Sequence, residues 1–164
     1  MKLLALQAEY NRWMNERLYA VCAAIPDADR KRDLGAFFGS IHGTFNHVLL
    51  VDRLWLARVQ GDDHAVASLA EELYGDFDVL RAQQAHTDAD LAAWVQRLQV
   101  ADLSTPVSYT RVSDGAPRTL ALGVVLTHLF HHQTHHRGQI TTLVRQLGYD
   151  FGDTDLMLVP QART

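Results

Sequence analysis

Apolar residues recur at three- and four-residue intervals over four long stretches of this chain, and that period, held for twenty residues or more at a time, commits most of it to amphipathic helix. Leu3, Leu6, Tyr10, Trp13, Met14, Leu18, Val21 and Cys22 form the first stripe, which Pro26 ends. A second helix is predicted from about Phe37 to Val59, with Ile41, Phe45, Val48, Val51, Trp55 and Val59 on one face and Gly61 as C-terminal cap. Gly35 and Gly43 weaken its start. After a polar stretch, Asp62–Ser68, a third helical region runs from about Leu69 to Leu98, with a break expected at Asp88 or the residue before it. Val107–Val112, Ser113-Asp114-Gly115 and Arg118–Leu120 alternate around an Asp-Gly turn and predict a short hairpin. The last helix is predicted from Thr119, as N-cap, to Leu147, with Gly148 as its stop. One hairpin is too little strand for a sheet architecture, so the reading is all-α: one four-helix-bundle domain over residues 1–164.

Other classes fall away on composition. The net charge is −4, the sole basic cluster is Arg30-Lys31-Arg32, and no aromatic residues interleave with it, so the footprint of a nucleic-acid binder is missing. The longest apolar run, Leu120–Leu126, is far short of a membrane span, and the N-terminal apolar run is too short for a signal peptide. The lone cysteine, Cys22, cannot form an intramolecular disulfide, which fits a reducing, cytoplasmic setting.

The chain holds nine histidines, and five of them, His128, His131, His132, His135 and His136, crowd the last helix. Helical phase separates the five. With His128 at zero, Val125, Leu129, Ile140, Leu143 and Leu147 fall at roughly 60–120°, His132 at about 40° and His136 at about 80°, whereas His135 and His131 fall at about −20° and −60°. His132 and His136 thus lie one turn apart on the core side and can chelate one ion. A third ligand should come from a facing helix. Of the two histidines on the second helix, His47 lies beside Thr44, Val51 and Trp55, and His42 points away from the core. Asp52 also falls on the apolar face, where a carboxylate needs a partner; the candidates are Arg137 and a ligand-histidine N–H.

Tyr10-Asn11-Arg12-Trp13-Met14-Asn15, Ile41-His42-Gly43-Thr44-Phe45-Asn46-His47 with Asp52 and Trp55, and the run His128–Gln139 together resemble the DinB family of the DinB/YfiT-like metalloenzyme superfamily, over essentially the whole chain. The resemblance implies an up-down-down-up four-helix bundle, commonly a homodimer, with one nickel, zinc or similar divalent ion. Its three ligands map onto His47, His132 and His136. Relatives in the superfamily include transferases and isomerases that use low-molecular-weight thiols, so the leading expectation is a thiol-dependent S-transferase or isomerase acting on a small molecule. Tyr10, Trp13 and Trp55 are expected to line its pocket. The alternatives are a metal-dependent hydrolase and a non-catalytic metal-binding stress protein.

Overall fold

The computed structural model describes residues 1–62 and 66–162 and is built from four long helices, α1 (Lys2–Ala23), α3 (Ile41–Gln60), α4 (Phe77–Arg97) and α5 (Leu122–Gln146). A five-residue helix, α2 (Asp27–Lys31), follows the proline that ends α1 and was not foreseen in the periodicity. Strands β1 (Pro106–Thr110) and β2 (Pro117–Ala121) pair antiparallel as the hairpin ahead of α5. The polar stretch Asp62–Ser68 falls partly on residues 63–65, outside the described residues.

Two apolar clusters show how the helices run. One gathers Ala8 near the start of α1, Trp55 near the end of α3, Val95 near the end of α4, and Leu122 and Val125 at the start of α5. The other gathers Leu18 and Cys22 late in α1, Ile41 and Phe45 early in α3, Phe77 and Leu80 early in α4, and Ile140 and Val144 late in α5. Helices α1 and α5 therefore run one way and α3 and α4 the other, which is the up-down-down-up order. Parallel neighbours cannot be joined by a tight turn, so the connection from α3 to α4 is a long one.

Three element boundaries differ from the sequence reading, each because a local bond outcompetes helical spacing. Helix α3 starts at Ile41 rather than near Phe37: Gly39 takes a positive φ of 73°, and Ser40 becomes the N-cap, its Oγ accepting from the Gly43 N–H at 2.9 Å. Helix α4 starts at Phe77 rather than Leu69, because α3 captures the backbone of Tyr74. The Asn46 Oδ1 accepts from Tyr74 N–H at 2.9 Å, and Asn46 Nδ2 and His42 Nε2 donate to Tyr74 O at 3.2 and 2.9 Å. The helix is unbroken at Asp88. Thr119 lies in β2, its hydroxyl 2.9 Å from that of Ser108, and the first N–H of α5 donates instead to Thr105 O. Gly61 and Gly148 close α3 and α5 in the left-handed conformation, as the sequence predicts.

Gly43 has a different reason to be glycine. It sits inside α3 with ordinary helical φ, yet a Cβ there would lie 2.3 Å from the carbonyl oxygen of Phe38. That close approach lets the 33–40 turn fold over the first turn of α3 and places the Phe38 ring against His47. Gly43→Ala should therefore destabilise the protein by about 1–3 kcal/mol, the usual cost of overpacking against backbone, despite alanine's better helix propensity. Urea denaturation measures it; an unchanged or raised midpoint would show that the turn yields without cost.

Candidate metal centre

His47 leaves α3 and His132 and His136 leave α5 toward each other, and their ligating atoms all lie within 4.8 Å of one another. His47 and His136 are buried and His132 is partly so. The buried face of α5 is wider than its apolar residues alone suggest, since it extends through Phe130, Gln133, Arg137 and Val144. The two histidines consequently sit at the edge of that face, where α3 and an open cavity meet. His128, His131 and His135 are exposed.

Proton positions follow from the outer partners. The His47 Nδ1 donates to Leu69 O at 2.7 Å, a bond only the Nδ1–H tautomer can make, so its Nε2 presents a lone pair inward. The His136 Nδ1 donates to Gln139 Oε1 at 2.8 Å with the same consequence, and Gln139 in turn donates to His135 Nε2 at 3.3 Å. His132 has no such anchor among the described residues, its Nδ1 being buried without a partner there. The Nε2 atoms of His47 and His132 are 3.0 Å apart. Two nitrogens each about 2.1 Å from one ion and at roughly right or tetrahedral angles lie about 3.0–3.4 Å from each other, so this spacing fits a shared divalent cation.

Burial and mutual proximity keep these rings neutral. Desolvation, then the neighbouring His136 and His47, push His132 down to about 2. Desolvation pushes His136 down to about 4 and lowers His47 as well. Neutral imidazole is the metal-binding form. The Phe38 ring stacks on His47 at 3.8 Å and meets His136 edge-on at 5.6 Å, shielding one side of the cluster from water.

The other side opens into a cavity of about 790 Å³. Val51, Leu54 and Trp55 of α3, Leu69, and Tyr109 of the hairpin form its apolar wall, and Arg58 and Arg111 are its cations. No aspartate or glutamate lines it among the described residues. Of the three aromatics expected around a pocket, only Trp55 is here. Tyr10 donates to Thr154 O at 2.6 Å, and Trp13 lies under Arg17, whose guanidinium carbon is 4.6 Å from the ring centroid. Both belong to the α1 face, which packs away from the cavity between α3 and α5.

Asp52 is buried, 2% exposed, but its partners are neither of those expected. Its Oδ2 accepts from Gln84 Nε2 at 2.9 Å and from Gln133 Nε2. Arg137 reaches it only at one remove, donating to Gln133 Oε1 at 3.1 Å and to Asn11 Oδ1. Asp88 completes the group, accepting from Asn15 at 3.0 and 3.1 Å, Gln84 at 3.1 Å and Asn11 at 3.4 Å. Desolvation and the nearby Asp88 hold Asp52 well above the ordinary carboxylate range, and desolvation raises Asp88 to about 6. His42 is also buried, 1% exposed: it points away from the metal cluster but into the chain that follows α3, where it holds Tyr74 O. Composition flagged none of Asn11, Asn15, Gln84 and Gln133; their one sequence signal is an amide inside an apolar stripe.

A model of the DinB family matches residues 1–163. The curated Protein DinB of Bacillus subtilis (strain 168) is 29% identical over 154 residues, which cover 90% of this chain and 87% of that protein. A crystal structure of a DinB-like protein from Bacillus cereus ATCC 10987 superposes with a TM-score of 0.65 at 17% identity, covering 86% of this chain and 90% of the other, a likeness of fold.

The two kinds of shifted group act oppositely on stability. His132 is neutral in the fold at a pH where the unfolded chain is protonated, so its contribution is intact above about 6.5 and is lost as pH falls below that value. Asp88, raised to about 6, and Asp52, raised well above its ordinary value, work the other way and return stability as pH falls toward 4. His136, pushed down to about 4, adds to the histidine side. Between pH 7 and 5 His132 alone should therefore cost the metal-free protein about 2 kcal/mol, and His132→Ala should remove that loss from the pH profile. Urea titrations of the parent and of His132→Ala at pH 7, 6 and 5 decide; parallel profiles for the two would show that the fold does not hold His132 neutral.

Proposed function

The chain belongs to the DinB family, and from that premise we propose that it is a divalent-metal-dependent enzyme. In this reading His47, His132 and His136 hold one nickel or zinc ion at the floor of the cavity, and a low-molecular-weight thiol serves as cosubstrate for S-transfer or isomerisation of a small molecule. The observation that carries the proposal is the convergence of three neutral imidazoles, two with their outward protons already engaged, beneath a cavity with an apolar wall.

Three protein ligands leave coordination positions for an exogenous group, as catalytic rather than structural sites do. Such an ion supplies Lewis acidity, lowering the pKa of a thiol or water that joins it. The chain's own residues supply the rest. Leu69 O and Gln139 fix the ring orientations, Phe38 excludes water from one flank, and Val51, Leu54 and Trp55 offer an apolar surface to the electrophile. The bare cavity wall favours a thiol over the hydrolase alternative. Hydrolysis calls for a general base beside the water, whereas Asp52 is turned into the bundle core and no other carboxylate lines the cavity among the described residues. A purely structural clamp would need no cavity. The same reading places the protein in the cytoplasm as a homodimer; the free, fully buried thiol of Cys22 suits a reducing compartment, and no helix among the described residues is long and apolar enough to cross a membrane.

Protein prepared without chelators, or reconstituted with zinc or nickel, should carry one ion per chain by elemental analysis. At fixed pH, His47→Ala, His132→Ala and His136→Ala should each abolish tight binding, whereas His131→Ala and His135→Ala should leave affinity within a few fold. Metal-dependent turnover with a panel of bacillithiol, mycothiol and glutathione tests the chemistry. No ion taken up on reconstitution would sink the metal reading, and metal-loaded protein inert with every thiol would sink the transferase.

A further inference from the structure

Arg58 lies eleven residues beyond His47 on α3, about 20° from it in helical phase and roughly 16 Å further along the axis. The two side chains thus leave the same face of α3 into one cavity. The guanidinium of Arg58 leans back over the Trp55 ring, 4.8 Å from its centroid, and lies 4.6 Å from that of Tyr109. Its Nη2 donates to Thr110 O at 2.7 Å, while Nε and Nη1 have no protein partner among the described residues. Two aromatic faces and one carbonyl fix the orientation of this fork without neutralising it.

The other cation of the wall makes a useful contrast. Arg111 is matched by Asp114 at 3.2 Å and bonded to Ser113. Arg58 pairs with no carboxylate among the described residues, and none lines the cavity. Burial also pushes Arg58 down from its usual value, the mark of a cation partly removed from water. A half-buried, preoriented guanidinium that no carboxylate among the described residues pairs, at one end of an apolar cavity, is a receptor for a singly charged planar anion.

We propose that Arg58 recognises a carboxylate at the far end of an elongated, otherwise apolar ligand whose near end reaches His47, His132 and His136. Only the near end rests on the metal reading above. A two- or three-carbon acid is too short to touch both ends, so the ligand class is an acid with an extended apolar body lying along Trp55.

The test uses the full-length, metal-free protein at pH 7.5, titrated with octanoate and separately with 1-octanol, following the Trp55 indole N–H by ¹H–¹⁵N NMR. Octanoate should bind about tenfold tighter or more than the alcohol, the expected gain from a charge-assisted pair. Arg58→Gln should bring octanoate to the level of octanol and leave octanol unchanged, and Arg58→Lys should recover part of the preference. Equal affinities in the parent protein, or a preference that survives Arg58→Gln in a folded spectrum, overturns the proposal. So does an equal loss for both ligands, which would make Arg58 a brace for the hairpin. A zinc-loaded arm comparing 8-mercaptooctanoate with octanoate reads the other end separately. No gain from the thiol there counts against the metal reading and leaves the Arg58 preference standing.

Discussion

A buried layer of polar side chains halfway along the bundle fixes how every long helix is rotated. Asn11 and Asn15 of α1, Asp52 of α3, Gln84 and Asp88 of α4, and Gln133 and Arg137 of α5 are all 5% exposed or less and bond to one another across the core. They lie between the two apolar clusters, which are each made of interchangeable hydrocarbon and would tolerate a helix sliding or turning. A hydrogen-bonded layer would not. Leaving one such buried group without its partner costs about 1–3 kcal/mol, so a wrong rotation of any helix is penalised several times over.

The histidine cluster inherits this constraint. Gln133 and Arg137 directly follow His132 and His136 in sequence, so each polar anchor lies about 100° further round α5 than a candidate ligand. Holding Gln133 to Asp52 and Arg137 to Asn11 turns the histidine edge of α5 toward α3. On α3 the same logic holds, since Asp52 follows His47 by five residues and lies about 140° round the helix from it. Three neutral, closely spaced imidazoles have no reason to approach each other on their own; the layer behind them supplies it.

That division of labour explains what could be read from the chain. Helical phase is a local property, so it separated His132 and His136 from their neighbours, and the alternating stretch at residues 107–120 declared its hairpin through Asp-Gly. Partner choice is tertiary. Asp52 was matched on charge to Arg137, whereas the fold interposes Gln133, because an amide can accept from the cation and donate to the acid at once. Leu69 and Leu73 kept helical spacing with Leu80, yet Asn46 and His42 draw the backbone at Tyr74 out of any helix. Helical phase turns His42 away from the metal-facing side of α3, yet His42 is buried, because phase carries no information about the chain at Tyr74 that covers it. Tyr10 and Trp13 failed for the same reason: an aromatic on a stripe announces burial, not which cavity it borders.

The carbonyl of Leu69 that holds His47 is a main-chain group, offered by every residue type alike. The tautomer of one candidate ligand is thereby tied to the course of the backbone and not to any side chain. Substitutions at position 69 are invisible to it, while a one-residue insertion or deletion between α3 and that point would displace it. At this one bond the stretch leading to Leu69 is bound in length and not in letters, so the site depends on a spacing that no single side chain along it records.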